Sequence, residues 1–127
     1  MGSLVGTRIL LAPDFGAPTN NITEIVSNSQ ISRGVINTLG LISGNRISST
    51  EFKTIVNGVV AETIARTSVA QPNGSIYIGA QRQNASATNF TNNECAFASI
   101  GDGLTDAENL NYYNSIQQFQ TSLSRNV

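Results

Sequence analysis

The sequence predicts an all-β antiparallel sandwich that ends in one α-helix. Between Val5 and Ile100, short apolar runs alternate with clusters of Pro, Gly, Asn and Asp, the pattern of strands joined by turns. One of those turns, Asn57-Gly58, has the composition of a two-residue hairpin. The last segment changes period: Thr105-Asp106-Ala107-Glu108 opens a helix as a capping box, and apolar residues then recur at helical spacing.

Taken in order, Val5 to Ala12 reads as the first strand, closed by Pro13, Asp14, Gly16 and Pro18. Ile22 to Val26 alternates apolar and polar positions and reads as the second. Gly34 to Ser43 is a third strand, continuous or split, with Gly40 marking a bulge. The hairpin comes next, Phe52 to Val56 and Val59 to Ile64. Its two-residue loop places Val56 opposite Val59, Ile55 opposite Val60 and Lys53 opposite Glu62. Pro72-Asn73-Gly74 makes another turn before a strand at Ser75 to Ala80. Gln81 to Asn93 is a polar excursion, and Ala96 to Ile100 a last apolar strand with Cys95 as a small core residue at its edge. The helix runs from an N-cap at Thr105 to about Ser124, its apolar stripe being Tyr112, Ile116, Phe119 and Leu123.

Composition excludes more chemistry than it suggests. The 127 residues make one domain by size, residues 1–127, and only 12% are charged against roughly 25% in a typical soluble domain. With a net charge of −1 the surface is neutral and polar, which favours association. The arginines stand singly, so no basic stripe offers itself to nucleic acid, and no apolar run is long enough to span a membrane. Histidine is absent, which removes the Ser-His and Cys-His nucleophile pairs and the commonest zinc ligand. Asp102, Asp106 and Glu108 form the densest acidic cluster, and their position at a helix start reads as capping and dipole complementation rather than catalysis or calcium binding. No catalytic residue, metal or cofactor is predicted. Four Asn-x-Ser/Thr triplets, at Asn21, Asn73, Asn84 and Asn89, are about what this Asn-, Ser- and Thr-rich composition produces by chance. Tyr77 and Phe97 read as sheet-face or core residues. The polar loop Gln81, Arg82, Gln83 and Asn84 is the best recognition surface that remains, with Gln81, Arg82 and Asn84 as candidate ligand-binding residues.

From Gly40 onward, three strings carry a family likeness: GNRISSTEFKTIVNGVV, SIYIGAQ and ECAFASIGDGLTDAENLNYYNSIQQFQTSLSRNV. In order and content they resemble the closing half of the concanavalin A-like lectin/glucanase (laminin-G-like) jelly-roll superfamily. The resemblance is in particular to copies carried by bacteriophages, in structural and tail-associated proteins, and by surface proteins of their hosts. That resemblance implies a jelly-roll sandwich whose N-terminal side is shorter than usual, since residues 1–39 match poorly. The Glu-x-Asp-x-x-Glu pattern of the superfamily's glycosidases has no counterpart here. What the resemblance implies is therefore a non-enzymatic virion protein of decoration or tail-fibre type, assembling with copies of itself or with other virion proteins, and either decorating the particle or contacting host glycans. The alternative is a carbohydrate-binding, lectin-like module on a bacterial cell surface.

Overall fold

In the structure, a computed structural model, the described residues are 8–12, 21–27, 32–33, 40–71, 73–83, 86–92 and 94–125. They form eight strands and one helix. Strands β1 (Arg8–Ala12), β2 (Asn21–Ser27) and β3 (Ser32–Arg33) make one antiparallel sheet in the order β1-β2-β3. A second antiparallel sheet has the order β4 (Ile42–Asn45), β5 (Glu51–Val56), β6 (Val59–Ala65). The third is a two-stranded ribbon, β7 (Gln81–Gln83) with β8 (Ser86–Thr88). Helix α1 spans Asp106–Ser122.

This arrangement corrects the sandwich expectation. The described core is a small three-stranded antiparallel sheet carrying one C-terminal helix, a mixed fold and not an all-β jelly roll. Two expected strands do not form, and the contacts explain why. Residues 96–100 attach to the helix instead of to a strand: Phe97 meets Phe119 edge to face at 6.4 Å, and the Tyr112 hydroxyl donates to Ser99 Oγ at 2.6 Å. Ser75 to Ala80 is no strand either, since Gly79 turns to φ +77° and breaks the extended run. The predicted polar loop after it holds the β7–β8 ribbon. Residues 34–39 of the expected third strand, and the turn at Pro13, Asp14, Gly16 and Pro18, lie outside the described residues.

The hairpin forms where the sequence puts it, with Asn57 at φ 51° and Gly58 at φ 78°, the two positive values that a primed turn requires. Val56 pairs with Val59 and Ile55 with Val60. Beyond that the register slips: Thr54 faces Glu62, and Lys53 faces Thr63, not Glu62. Ala61 is the extra residue, a β-bulge that sets two residues of β6 against one step of β5. Lys53 finds its carboxylate elsewhere, at Asp106 on the helix.

Strand alternation and these contacts place α1 on one face of the β4–β5–β6 sheet. Asn45 and Lys53 are cross-strand partners on that face, and both reach the helix start. Gly58 packs there as well: a Cβ built on it would lie 2.8 Å from Tyr113 Cβ and 3.1 Å from Leu110 Cα. The hairpin tip is thus wedged against the middle of the helix. Phe52 lies on the opposite face, with the Arg46 guanidinium 5.1 Å above its ring. The buried apolar side chains among the described residues are Phe52, Ile55, Ile64 and Ile116.

Candidate functional site

The most organised polar cluster joins the helix start to the sheet. Asn45 Nδ2 donates to the Leu104 carbonyl at 2.6 Å, and the Leu104 amide donates back to Asn45 Oδ1 at 2.9 Å. Only 6% exposed, Asn45 works as a two-pronged brace. Asn109, equally buried, donates to the carbonyls of Leu104 and Thr105 at 3.1 and 3.0 Å. The Lys53 ammonium grips both Asp106 oxygens at 2.7 and 2.9 Å. Asp106 is more than half exposed, so this ion pair adds at most about 1 kcal/mol.

The predicted capping box is complete. Glu108 N–H donates to Thr105 Oγ1 at 3.3 Å, while the Thr105 amide and hydroxyl both donate to Glu108 Oε2 at 2.7 Å. These bonds, the backbone one first, hold the Glu108 carboxyl below the usual carboxylate range. Each acid of the cluster thus has its own place. Glu108 caps the helix, Asp106 binds Lys53, and Asp102 stands apart on the rim of a groove. No group of three or more Cys, Asp or Glu residues able to hold a metal occurs among the described residues.

That groove lies beside the joint, open to solvent and about 570 Å³ in volume, between the end of β4, the segment Ser68 to Gln71, and the Gly101-Asp102-Gly103 turn. Gly103 is required there, because a side chain would run into the Arg46 carbonyl and Ile47. Arg46 organises the far rim. Its Nη1 donates to the carbonyls of Ser48, Glu51 and Arg66 at 3.0, 3.1 and 3.1 Å, tying the β4–β5 turn, the start of β5 and the end of β6 to one guanidinium. Burial pushes Arg46 below the ordinary guanidinium value, and it remains cationic at neutral pH. Among the described residues no aromatic side chain lines the groove.

The expected recognition loop contributes to the β7–β8 ribbon. Gln81 and Arg82 stand on β7, opposite Thr88 and Ala87, and Asn84 lies outside the described residues. Two other expectations are reversed by exposure. Cys95 is exposed instead of buried in a core strand, its thiol donating to the Phe97 carbonyl at 3.2 Å. Tyr77, expected on a sheet face, lies in no strand and is exposed.

What sequence reasoning misses is the apolar surface. Among the residues from Gly40 on whose side chains are described, ten large hydrophobic side chains are exposed, four apolar side chains are buried, and others such as Leu41, Val56, Val60 and Phe97 are half-buried. Ile78, Phe90 and Ile100 are 67%, 75% and 74% exposed, and on the helix Leu110, Phe119 and Leu123 are nearly half exposed. Exposed apolar side chains standing singly are ordinary, whereas contiguous patches of them are characteristic of surfaces that meet partners. The signal is present in SIYIGAQ and in the helix stripe, where apolar spacing reads equally well as core. Comparison with protein-family models, curated proteins and solved structures finds no match to this chain.

Proposed function

We propose that the chain is a non-enzymatic structural component of a bacteriophage particle, of decoration or tail-fibre type, that works by assembling with copies of itself or with neighbouring virion proteins. One observation carries the reading: from Gly40 on, ten large hydrophobic side chains, Ile78, Phe90 and Ile100 the most open of them, stand in solvent. A sheet-and-helix unit of this kind gains its missing burial by association. Low charge density supports the same reading, since 8 acids and 7 bases in 127 residues put few charges in the way of close packing. The likeness of AFASIGDGLTDAE to phage structural proteins supplies the particle as the setting. Chemistry has little to work with: histidine is absent, and Glu108 and Asp106 at the helix start are held by the cap and by Lys53.

The test is mass spectrometry of purified particles released from a host that carries the gene. The chain should be recovered with the capsid or tail proteins in a fixed copy ratio. Recovery only from the host envelope fraction would favour the cell-surface lectin instead.

A further inference from the structure

The sequence contains two Asn-Gly pairs, Asn57-Gly58 and Asn73-Gly74, and the fold treats them in opposite ways. Asn-Gly is the pair most open to intramolecular attack of the following main-chain nitrogen on the asparagine side chain, because glycine presents no Cβ to hinder it. The attack requires the Asn Cγ to approach that nitrogen to about 3–3.5 Å in line with the carbonyl.

At Asn57 this approach is blocked. Its Oδ1 accepts from the Leu41 amide at 3.0 Å, while the Asn57 amide donates to the Leu41 carbonyl at 2.8 Å. The side-chain amide is thereby turned across the turn toward β4 and packed against Gly40. Gly58 is clamped under Tyr113 and Leu110. Neither reacting atom is free to rotate.

At Asn73 the constraints are gone. Both Asn73 and Gly74 are exposed, they belong to no strand or helix, and neither makes a hydrogen bond among the described residues. Exposed irregular segments of this kind sample many backbone conformations, and near-attack geometries are among them.

We infer that Asn73 is a spontaneous deamidation site, converting to aspartate and isoaspartate while Asn57 stays an amide. The Gly74 nitrogen, having lost its proton, forms a bond to Asn73 Cγ as the bond from Cγ to the side-chain nitrogen breaks, and that nitrogen leaves as ammonia. Water then opens the resulting succinimide at one of its two carbonyls, hydroxide going to the carbonyl carbon and a proton to the released nitrogen. No oxidant or cofactor takes part. The product gains one negative charge within the stretch Thr67 to Gln81, which holds no charged residue and contains the exposed Ile76, Tyr77 and Ile78. An uncharged apolar surface thus acquires a charge with age.

The experiment is peptide mapping by liquid chromatography and mass spectrometry of the full chain after timed incubation at mildly alkaline pH, folded and in denaturant. In denaturant both pairs should convert at similar rates. In the folded chain the Asn73 peptide should accumulate both acidic products while the Asn57 peptide remains intact, and Gly74→Ala should slow conversion several-fold without disturbing the fold. Conversion of Asn57 as fast as Asn73 in the folded chain would overturn the inference. So would an unchanged Asn73 over an interval in which the denatured chain converts.

Discussion

Gly58 offers the sharpest test of how the helix sits on the sheet. Two separate costs attach to a methyl group there. The backbone is at φ +78°, where an L-residue is less stable than glycine by about 1–2 kcal/mol. The new Cβ would also lie 2.8 Å from Tyr113 Cβ and 3.1 Å from Leu110 Cα, so hairpin and helix must move apart, an overpacking cost of about 1–3 kcal/mol. Gly58→Ala should therefore destabilise by about 2–5 kcal/mol, the two costs together. Gly79 is an internal control, because it has nearly the same φ, +77°, but its Cβ would meet only Thr91 Cγ2 at 3.9 Å. Gly79→Ala should cost the backbone component alone, about 1–2 kcal/mol. Urea unfolding of the two variants separates the components, and the difference between them measures the helix contact. Equal destabilisation in the two variants would refute the docking of α1 against the hairpin tip.

Three further outcomes follow from the joint and the helix. Asn45→Ala leaves the Leu104 amide and carbonyl without this partner and should cost about 2–4 kcal/mol in urea unfolding. Gln120 is 5% exposed and its side-chain amide has no partner among the described residues, so Gln120→Leu should stabilise the fold by about 1 kcal/mol, read as a rise in urea midpoint. Glu108 titrates with its folded value depressed by the Thr105 bonds. Its contribution is fully present above the unfolded value and disappears as pH falls through the folded one. Wild type should thus lose its advantage over Glu108→Gln in melting temperature in the acid range, and a gap that is constant with pH would remove the carboxylate from the cap.

The features legible in the sequence are those written in local chemistry. Asn57-Gly58 sets a turn from two residues, and Thr105 with Glu108 sets a helix start from four, so both appear where they are expected. The bulge at Ala61 is invisible to such reading, because counting outward from a turn assumes one residue per step on each strand. The helix stripe is also displaced. Apolar spacing selects Tyr112, Ile116, Phe119 and Leu123, yet the buried positions are Asn109, Ile116 and Gln120. Asn109 is buried because the carbonyls of Leu104 and Thr105 satisfy it, a polar side chain turning back on its own cap, and no hydropathy pattern records that. SIYIGAQ and AFASI have the composition of strands, but pairing is a property of the rest of the chain, and Ser75 to Ala80 and Ala96 to Ile100 find no strand partner among the described residues. The same holds for the candidate site: polar composition draws attention to Gln81, Arg82 and Asn84, while the braced helix start and the groove beside it depend on Asn45 meeting Leu104 across 59 residues.

Sedimentation velocity of the folded chain over a wide concentration range decides whether it works by assembly. The exposed Ile78, Phe90, Ile100 and Phe119 should be covered in an oligomer whose population grows with concentration, through a specific interface of more than about 1,000 Å². A single monomeric boundary at every concentration, with the chain stable and soluble, would contradict the structural reading and leave the lectin-like module as the better one.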